Sequence, residues 1–525
     1  MISVTRDRNA AALEIAWARL ISITDEMAAS LRSPAFSSVI REANDFACAL
    51  LTPEGELLVE YSRSVPVFTN VLGGAARSML EALGKEHDPG DVLLTNDPWA
   101  GNTHLGDFIA LTPIWSHGGL VAYAASICHV SDVGGASEGA FARDIYEEGI
   151  CIPPIKLRHS GELDSTVLTI LSRNVRVPEL VLGDIHALIA ANDFGVRRLQ
   201  DYLHGQPAGA LEATTAEIAT ASEVAVREAI SRLPDGAYRG KVALDGFEAS
   251  KEIRVLVTVE HDEMRVDFSG TSPQSSFGIN AGAPSVAYTL YSLKCILSPH
   301  VPNNAWTYRA IEVSIPPGTL LNPTPPAPLS ANFPAHLIQG ALYMALYDAD
   351  PDGVMAPSGA PMWVVSLRGV GGDGPFTSIL CFNGGQGALA GRDGRACLSV
   401  PSNVGNTPIE ATEAECPVIY ERKAIARGTG GAGRWSGGDG QEVVLRCAHS
   451  EPLDVVFLTE RLQHAAPGIA GGKPGAVGAL QVDGSPVGAP KGRARLEPGS
   501  RISLRTPGGG GFGIPRKAPE EELQR

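Results

Sequence analysis

Basic residues are scarce in this 525-residue chain: 42 lysines and arginines stand against 58 aspartates and glutamates, a formal net charge of −16, and no Lys/Arg-rich run offsets it. Binding a phosphate backbone needs a basic face, so nucleic acid is excluded as a partner. Long apolar runs are missing too. No stretch offers about 18 uninterrupted apolar residues, so no membrane-spanning helix is expected. Residues 1–8 carry charges where a secretory signal needs an apolar core, so the expected location is the cytoplasm. The eight cysteines (48, 128, 151, 295, 381, 397, 416 and 447) contain no C-x-x-C pair, which argues against a disulfide framework or zinc ribbon and for reduced thiols. Neither G-x-x-x-x-G-K-[ST] nor G-x-S-x-G occurs, so a nucleotide-phosphate cradle and a serine-nucleophile elbow are both unsupported.

What is present is an ordinary globular composition, with 44% hydrophobic and 19% charged residues. A single core stops growing at roughly 250–300 residues, so the length implies several packed units. The pattern predicts a mixed α/β protein: an N-terminal α/β unit over 1–205, a helix-plus-sheet unit over 206–310, and a β-rich, glycine-rich unit over 311–525. Leu13, Trp17, Leu20, Ile21 and Ala28 recur at helical spacing and predict an amphipathic helix ended by Pro34. Strands are expected at 46–51 and 57–61, a helix over 71–86, a strand at 92–94, and a hairpin of 109–115 with 120–128 around Gly118-Gly119. Long helices are expected over 162–204 and 209–233, short strands to about 268, and a helix over 281–297. The segment 311–330 reads as extended loop, and the glycine clusters (384–387, 430–433, 508–511) read as tight turns between strands. A charged tail covers 516–525.

The densest polar segment runs from Asn96 to Asp107 and contains His104 in an H-x-x-D spacing, with His129 and Asp132 following. Two imidazoles with two or three carboxylates form a mixed N/O donor set suited to zinc, manganese or iron. His104 and Asp107 can turn toward one point from a tight loop, His129 can approach from a strand end, and Asp45 is a fourth ligand if its strand adjoins theirs. Asp107 reads equally as a turn residue or cap. Asp132 and Glu148 are candidates for a general base or a substrate-orienting carboxylate. Alternatively, Asp132 caps a turn before glycines and Glu148 is a solvated helix end. Cys128 beside His129 suggests a dyad, but neighbours along a strand point to opposite faces, which sends Cys128 to the core.

At these residues the chain resembles the hydantoinase B/oxoprolinase family. The family's T-N-D-P-Y-x-G-G-T-H-L-x-D segment appears at 95–107, its H-x-x-D-[VI]-G-G element at 129–135, and its E-G-[IL]-x-I-P-P-[IV]-K-L run at 148–157. Further matches are Pro302-Asn303-Asn304, 406–410, 430–440 and 507–512, so the resemblance covers nearly the whole chain. It departs at Val130, where the family often has a second histidine, at 66–70, where P-x-H-x-G is common, and near Asn332 to His336, where a common arginine is missing.

The resemblance implies a divalent metal (zinc, manganese or iron) held by Asp45, His104, Asp107 and His129. It also implies a hetero-oligomer with a hydantoinase A-type subunit that binds ATP-Mg. The implied activity is hydrolysis of the C–N bond of a cyclic amide (hydantoin, oxoproline or lactam), with the metal activating water against a carbonyl phosphorylated with the partner. Two other readings stay open: a subunit of an ATP-dependent ketone carboxylase of the acetone or acetophenone type, and a non-catalytic scaffold.

Overall fold

The computed structural model describes residues 2–84, 86–135, 139–329, 333–360, 362–371 and 374–515, so the charged tail lies outside the described residues. The chain opens with helix α1 (Ile2–Arg32) and a single turn α2 (Ser38–Arg41). Strands β1 (Phe46–Leu51) and β2 (Leu57–Glu60) form a hairpin. Helix α3 (Pro66–Leu83) follows; it starts earlier than its apolar spacing suggests because Pro66, with its preset φ and no N–H to satisfy, sits in the first turn. Next come β3 (Val92–Thr95), β4 (Asp107–Ser116) and β5 (Gly119–His129). The β4–β5 hairpin turns on His117 and Gly118, both with positive φ (52° and 79°), as a two-residue loop matched to strand twist requires. A short helix α4 (Ile145–Glu148) and strands β6 (Ile155–His159) and β7 (Glu162–Leu163) complete a seven-stranded sheet in the order β2-β1-β5-β4-β3-β6-β7.

The single helix expected over 162–204 is two, α5 (Ser165–Asn174) and α6 (Pro178–Leu203). Pro178 is the cause: it can begin a helix but pushes Val177 out of the helical region. Both faces of the seven-stranded sheet are covered, so all six residues of β1 are buried. Phe46, Cys48 and Leu50 pack under α1 and α6, while Ala47, Ala49 and Leu51 face the core shared with α3.

After α7 (Ala210–Ile230) come β8 (Gly236–Leu244), β9 (Lys251–Glu260), β10 (Glu263–Asp267), helix α8 (Pro284–Leu297), β11 (Ile311–Ser314) and helix α9 (Phe333–Leu346). The four strands form a sheet in the order β11-β10-β9-β8, and α9 packs on β8 and β9. β11 pairs parallel with β10, so this sheet continues past residue 310, and part of the stretch expected as loop is a strand.

The C-terminal region is a sandwich. Strands β12 (Trp363–Gly371) and β13 (Gly374–Phe382) lead, through helix α10 (Ile409–Glu415), to β14 (Val418–Ala426), β15 (Gly440–Cys447) and β16 (Leu453–Leu458). β17 (Ala479–Val482), β18 (Ser485–Pro486), β19 (Lys491–Leu496) and β20 (Arg501–Arg505) finish it. Sheets ordered β13-β12-β16-β19 and β14-β15-β20-β17-β18 close on Trp363, Phe382, Leu445, Phe457 and Leu504. A buried ion pair, Lys491 Nζ to Glu460 Oε2 at 2.9 Å, joins this sandwich to the middle sheet, because Glu460 Oε1 also accepts the N–H of Asp245 at 2.6 Å.

The glycine clusters are not tight turns. They are extended segments packed backbone to backbone: Gly385 N–H donates to Pro507 O, Gly438 N–H to Gln386 O, Gly509 N–H to Gly438 O, and Gly431 N–H to Gly509 O. A Cβ on Gly385 would lie 1.8 Å from Gly438 O, so only a residue without a side chain permits this approach.

Candidate metal centre

Three adjacent strands reach one corner of the seven-stranded sheet together. β5 lies between β1 and β4, with Asp107 directly opposite His129 and Phe46 opposite Cys128. Asp45, one residue ahead of β1, therefore stands beside His129 on its other flank, and the His129 N–H donates to the Asp45 carbonyl at 3.2 Å. Alternation along β5 buries Cys128 beneath α1 and α6 and leaves His129 facing a cavity. His104 arrives from the β3–β4 loop, where the Asp107 N–H donates to the His104 carbonyl at 3.1 Å and closes the expected tight turn.

These contacts bring His104, Asp107 and His129 together. Asp107 Oδ1 lies 3.0 Å from His129 Nδ1 and Oδ2 3.5 Å from His104 Nε2, and the two imidazoles meet edge to face at 5.0 Å between centroids. One donor atom from each residue lies within 4.8 Å of the others. Asp45 stands next to this trio, outside the group of three.

The electrostatics suit a cation. Burial raises the Asp107 carboxyl, but His104, His129 and the Thr103 hydroxyl outweigh it and hold it below the usual carboxylate range. Burial, with His129 adding to it, lowers His104 against the pull of Asp107. For His129 burial is outweighed by Asp107 and Asp45, and its pKa is raised. Burial pushes Asp45 up to about 7, with His129 opposing and Asp107 adding. Two imidazoles and an ionised carboxylate, gathered at the wall of one cavity, fit a divalent ion of zinc, manganese or iron type.

Several residues that build the site had no role assigned from sequence. Buried Asn96 bridges the loop to the segment after α4: its Nδ2 donates to Leu105 O (2.8 Å) and Ile150 O (2.9 Å), and its Oδ1 accepts from Ile152 N–H (2.6 Å). Asn102 Nδ2 donates to Asp107 O at 2.5 Å, and the Thr103 hydroxyl donates to the Asp107 carboxylate. A cluster of Asn and Thr directly after an apolar strand is the signal that could have found them, because such side chains close loop backbone that no ladder satisfies. Gly106 is essential for space: a Cβ there would lie 2.6 Å from His129 Cε1 and 3.0 Å from His104 Cε1. Tyr288 of α8 also approaches. Burial raises its phenol well above the ordinary value, with the charges of Asp45 and Asp107 adding to the effect.

Asp132 and Glu148 both line the cavity with His104 and His129. Asp132 has both oxygens engaged: Oδ1 accepts from Gly134 N–H (3.2 Å) and Arg176 Nη1 (2.7 Å), and Oδ2 accepts from the Arg176 backbone N–H. Glu148 is buried at the end of α4, and its Oε1 accepts from Leu329 N–H at 2.7 Å, so it is not solvated. The cavity measures about 140 Å³, the scale of a space that holds one small ring.

Among the described residues no helix is long and apolar enough to cross a membrane, and all eight cysteines are unpaired.

The family model described as hydantoinase B/oxoprolinase matches residues 9–515. A Pseudomonas sp. (strain NS671) protein provisionally named as the B component of a D-/L-hydantoinase is 30% identical, over 97% of this chain and 91% of its own length. The 5-oxoprolinase 1 of Arabidopsis thaliana is 29% identical over 94% of this chain, which spans 41% of that longer protein. Among solved structures, the ATP-dependent caprolactamase from Pseudomonas jessenii superposes with a TM-score of 0.89 at 26% identity, over 97% of this chain and 92% of that one. A nucleotide-free acetone carboxylase superposes with a TM-score of 0.85 at 19% identity, over 97% and 76%, a likeness of fold.

Proposed function

The chain belongs to the hydantoinase B/oxoprolinase family, and from that premise we propose that it is the metal-carrying beta subunit of an ATP-dependent cyclic-amide hydrolase. Its partner is a hydantoinase A-type subunit that binds ATP-Mg; a full-length relative named as one lettered component of a hydantoinase supports that pairing. The observation that carries the reading is the His104–Asp107–His129 trio, two half-buried imidazoles around a buried carboxylate, at the edge of a ring-sized cavity. Asp45, beside His129, completes the donor set as a fourth ligand.

An amide carbonyl is a weak electrophile because resonance feeds it electrons. In the partner, the γ-phosphoryl group passes from ATP to the amide oxygen with release of ADP. A divalent cation, when held by this donor set, acidifies water and polarises a carbonyl oxygen. Asp132 and Glu148, which line the cavity with the two histidines, are the carboxylates in place to take the proton of water as it adds to the activated carbon. The ring C–N bond then breaks, the proton returns to the amine nitrogen, and a second water releases phosphate from the acyl phosphate left behind.

The caprolactamase likeness favours hydrolysis of a cyclic amide, while the acetone carboxylase likeness speaks for fold alone. A scaffold has no use for two imidazoles converging on a buried carboxylate at a cavity wall. His104→Ala, made in the chain co-purified with its ATP-binding partner, should remove bound metal by elemental analysis and abolish ATP-coupled ring opening. Turnover without metal would end the proposal, and carbon dioxide incorporation into a ketone would favour the carboxylase reading.

A further inference from the structure

The loop after β5 forms one wall of the cavity from Val130 to Gly134, and Glu148 adds to it from the end of α4. A loop has no strand ladder to fix it, so other groups must satisfy its backbone and set its shape. Arg176, in the short junction between α5 and α6, does this from behind: it lies in an adjoining pocket that shares Ser131 with the cavity. Its backbone N–H donates to Asp132 Oδ2, its Nη1 to Asp132 Oδ1 (2.7 Å) and Gly134 O (3.0 Å), and its Nη2 to Gly135 O (2.5 Å). The two carbonyls can turn to one guanidinium because Gly134 and Gly135 adopt φ of 78° and 72°. The pairing also differs from a surface ion bridge, since Asp132 is buried and two of the four bonds hold the wall's own carbonyls. The same loop is locked to Glu148. Ile150 N–H donates to Val133 O at 2.8 Å, and a Cβ on Gly135 would strike the carbonyls of Glu147 and Glu148, so neither segment shifts without the other.

We infer that Arg176 is a positioning residue for the reaction: from outside the cavity it fixes the Asp132 carboxylate and, through the loop backbone, Glu148 relative to His104, Asp107 and His129. A planar guanidinium suits this role because its donors are held at fixed spacing and reach several acceptors at once, whereas an ammonium is a single point of charge. The arrangement leaves Asp132 able to act. An ionised carboxylate has about four acceptor positions, and Gly134 N–H with the two donors of Arg176 fills three, which leaves Oδ2 with room for one more partner. The inference rests on the hydrolase reading, since it concerns the two carboxylates to which that reading gives proton transfer.

The test uses the full-length chain co-purified with its ATP-binding partner and loaded with manganese, as wild type, Arg176→Gln, Arg176→Lys, Asp132→Asn and the Arg176→Gln/Asp132→Asn double variant. Hydrogen exchange reads the hold on the wall: Arg176→Gln should speed exchange of the amides of 133–135 and of Ile150 by about 10-fold, with metal content within about twofold of wild type. Turnover of hydantoin, 5-oxoproline and 2-pyrrolidinone reads its purpose. In Arg176→Gln, kcat should fall by about 10- to 100-fold with KM within about threefold, as displacement of a reacting group by about 1 Å does. Arg176→Lys should regain part of kcat, and the double variant should lose less than the product of the two single losses, because both changes disable one unit. The inference is overturned if exchange or kcat is unchanged in Arg176→Gln, if the two losses multiply in full, or if metal content, KM and melting temperature all worsen together as a structural defect would make them. If metal-loaded wild type opens none of the three rings, the hydrolase reading fails, and the exchange comparison alone then decides whether Arg176 holds the wall.

Discussion

Gly106→Ala isolates the geometry of the metal centre from its chemistry, because it removes no donor atom and adds one methyl group. The added Cβ would sit 2.6 Å from His129 Cε1 and 3.0 Å from His104 Cε1, where ordinary contact begins at 3.4 Å. The His129 ring must therefore retreat by about 0.8 Å and the His104 ring by about 0.4 Å, whereas ligand distances tolerate about 0.2 Å. Gly106 does not have the positive φ that alanine resists, so the backbone accommodates the change. Displaced but intact ligands typically cost about 10- to 100-fold in metal affinity, or about 1.4–2.8 kcal/mol. Competition titration against a chromogenic chelator measures that loss directly, and a thermal melt of the metal-free protein should stay close to wild type. Metal affinity within about twofold of wild type would refute the argument that these two rings converge on one ion beside Gly106.

Gly438→Ala should be among the most destabilising single changes in the C-terminal region. Its Cβ would lie 2.0 Å from the Arg395 carbonyl oxygen, a backbone atom with no rotamer to escape by, so a loss above about 4 kcal/mol is expected. A soluble variant melting within about 2 °C of wild type would show that the segments can part. His336 on α9 predicts an acid sensitivity: buried against the rings of Tyr288 and Phe333, it has its pKa lowered from 6.5 to about 4 by burial. The unfolded chain takes up this proton first as pH falls, so the contribution is fully present above about pH 6.5 and is lost by about 3 kcal/mol on the way to pH 4. Denaturant unfolding across that range should slope less steeply in His336→Leu, and parallel slopes would dismiss the idea.

Much of the site could be read before folding. The H-x-x-D spacing sets a tight turn whatever surrounds it, and strand alternation separates His129 from Cys128, since both rules act over two to four residues. Asn96 escaped notice because it satisfies backbone groups up to 56 residues away, and such partners have no local period, whereas Asn102 and Thr103 bond only within their own loop, to the Asp107 carbonyl and carboxylate. Asp132 illustrates the converse. A carboxylate before two glycines suggests chemistry, and the guanidinium that engages it, Arg176, lies 44 residues on. The helix expected over 162–204 broke at Pro178, where the restriction on the preceding residue outweighs an otherwise helical composition.

By itself the sequence determined the mixed α/β class and the family, because short-range periodicity and ordered motifs survive without any fold. Only the tertiary structure decided that Asp45 stands beside His129, that glycine clusters from three regions mesh rather than turn, and that β12 lends Arg368 to a cavity whose other wall lies more than 200 residues earlier. Those outcomes depend on which strand pairs with which and on how closely two backbones can approach. Both are properties of contacts between distant segments, and no local pattern encodes them.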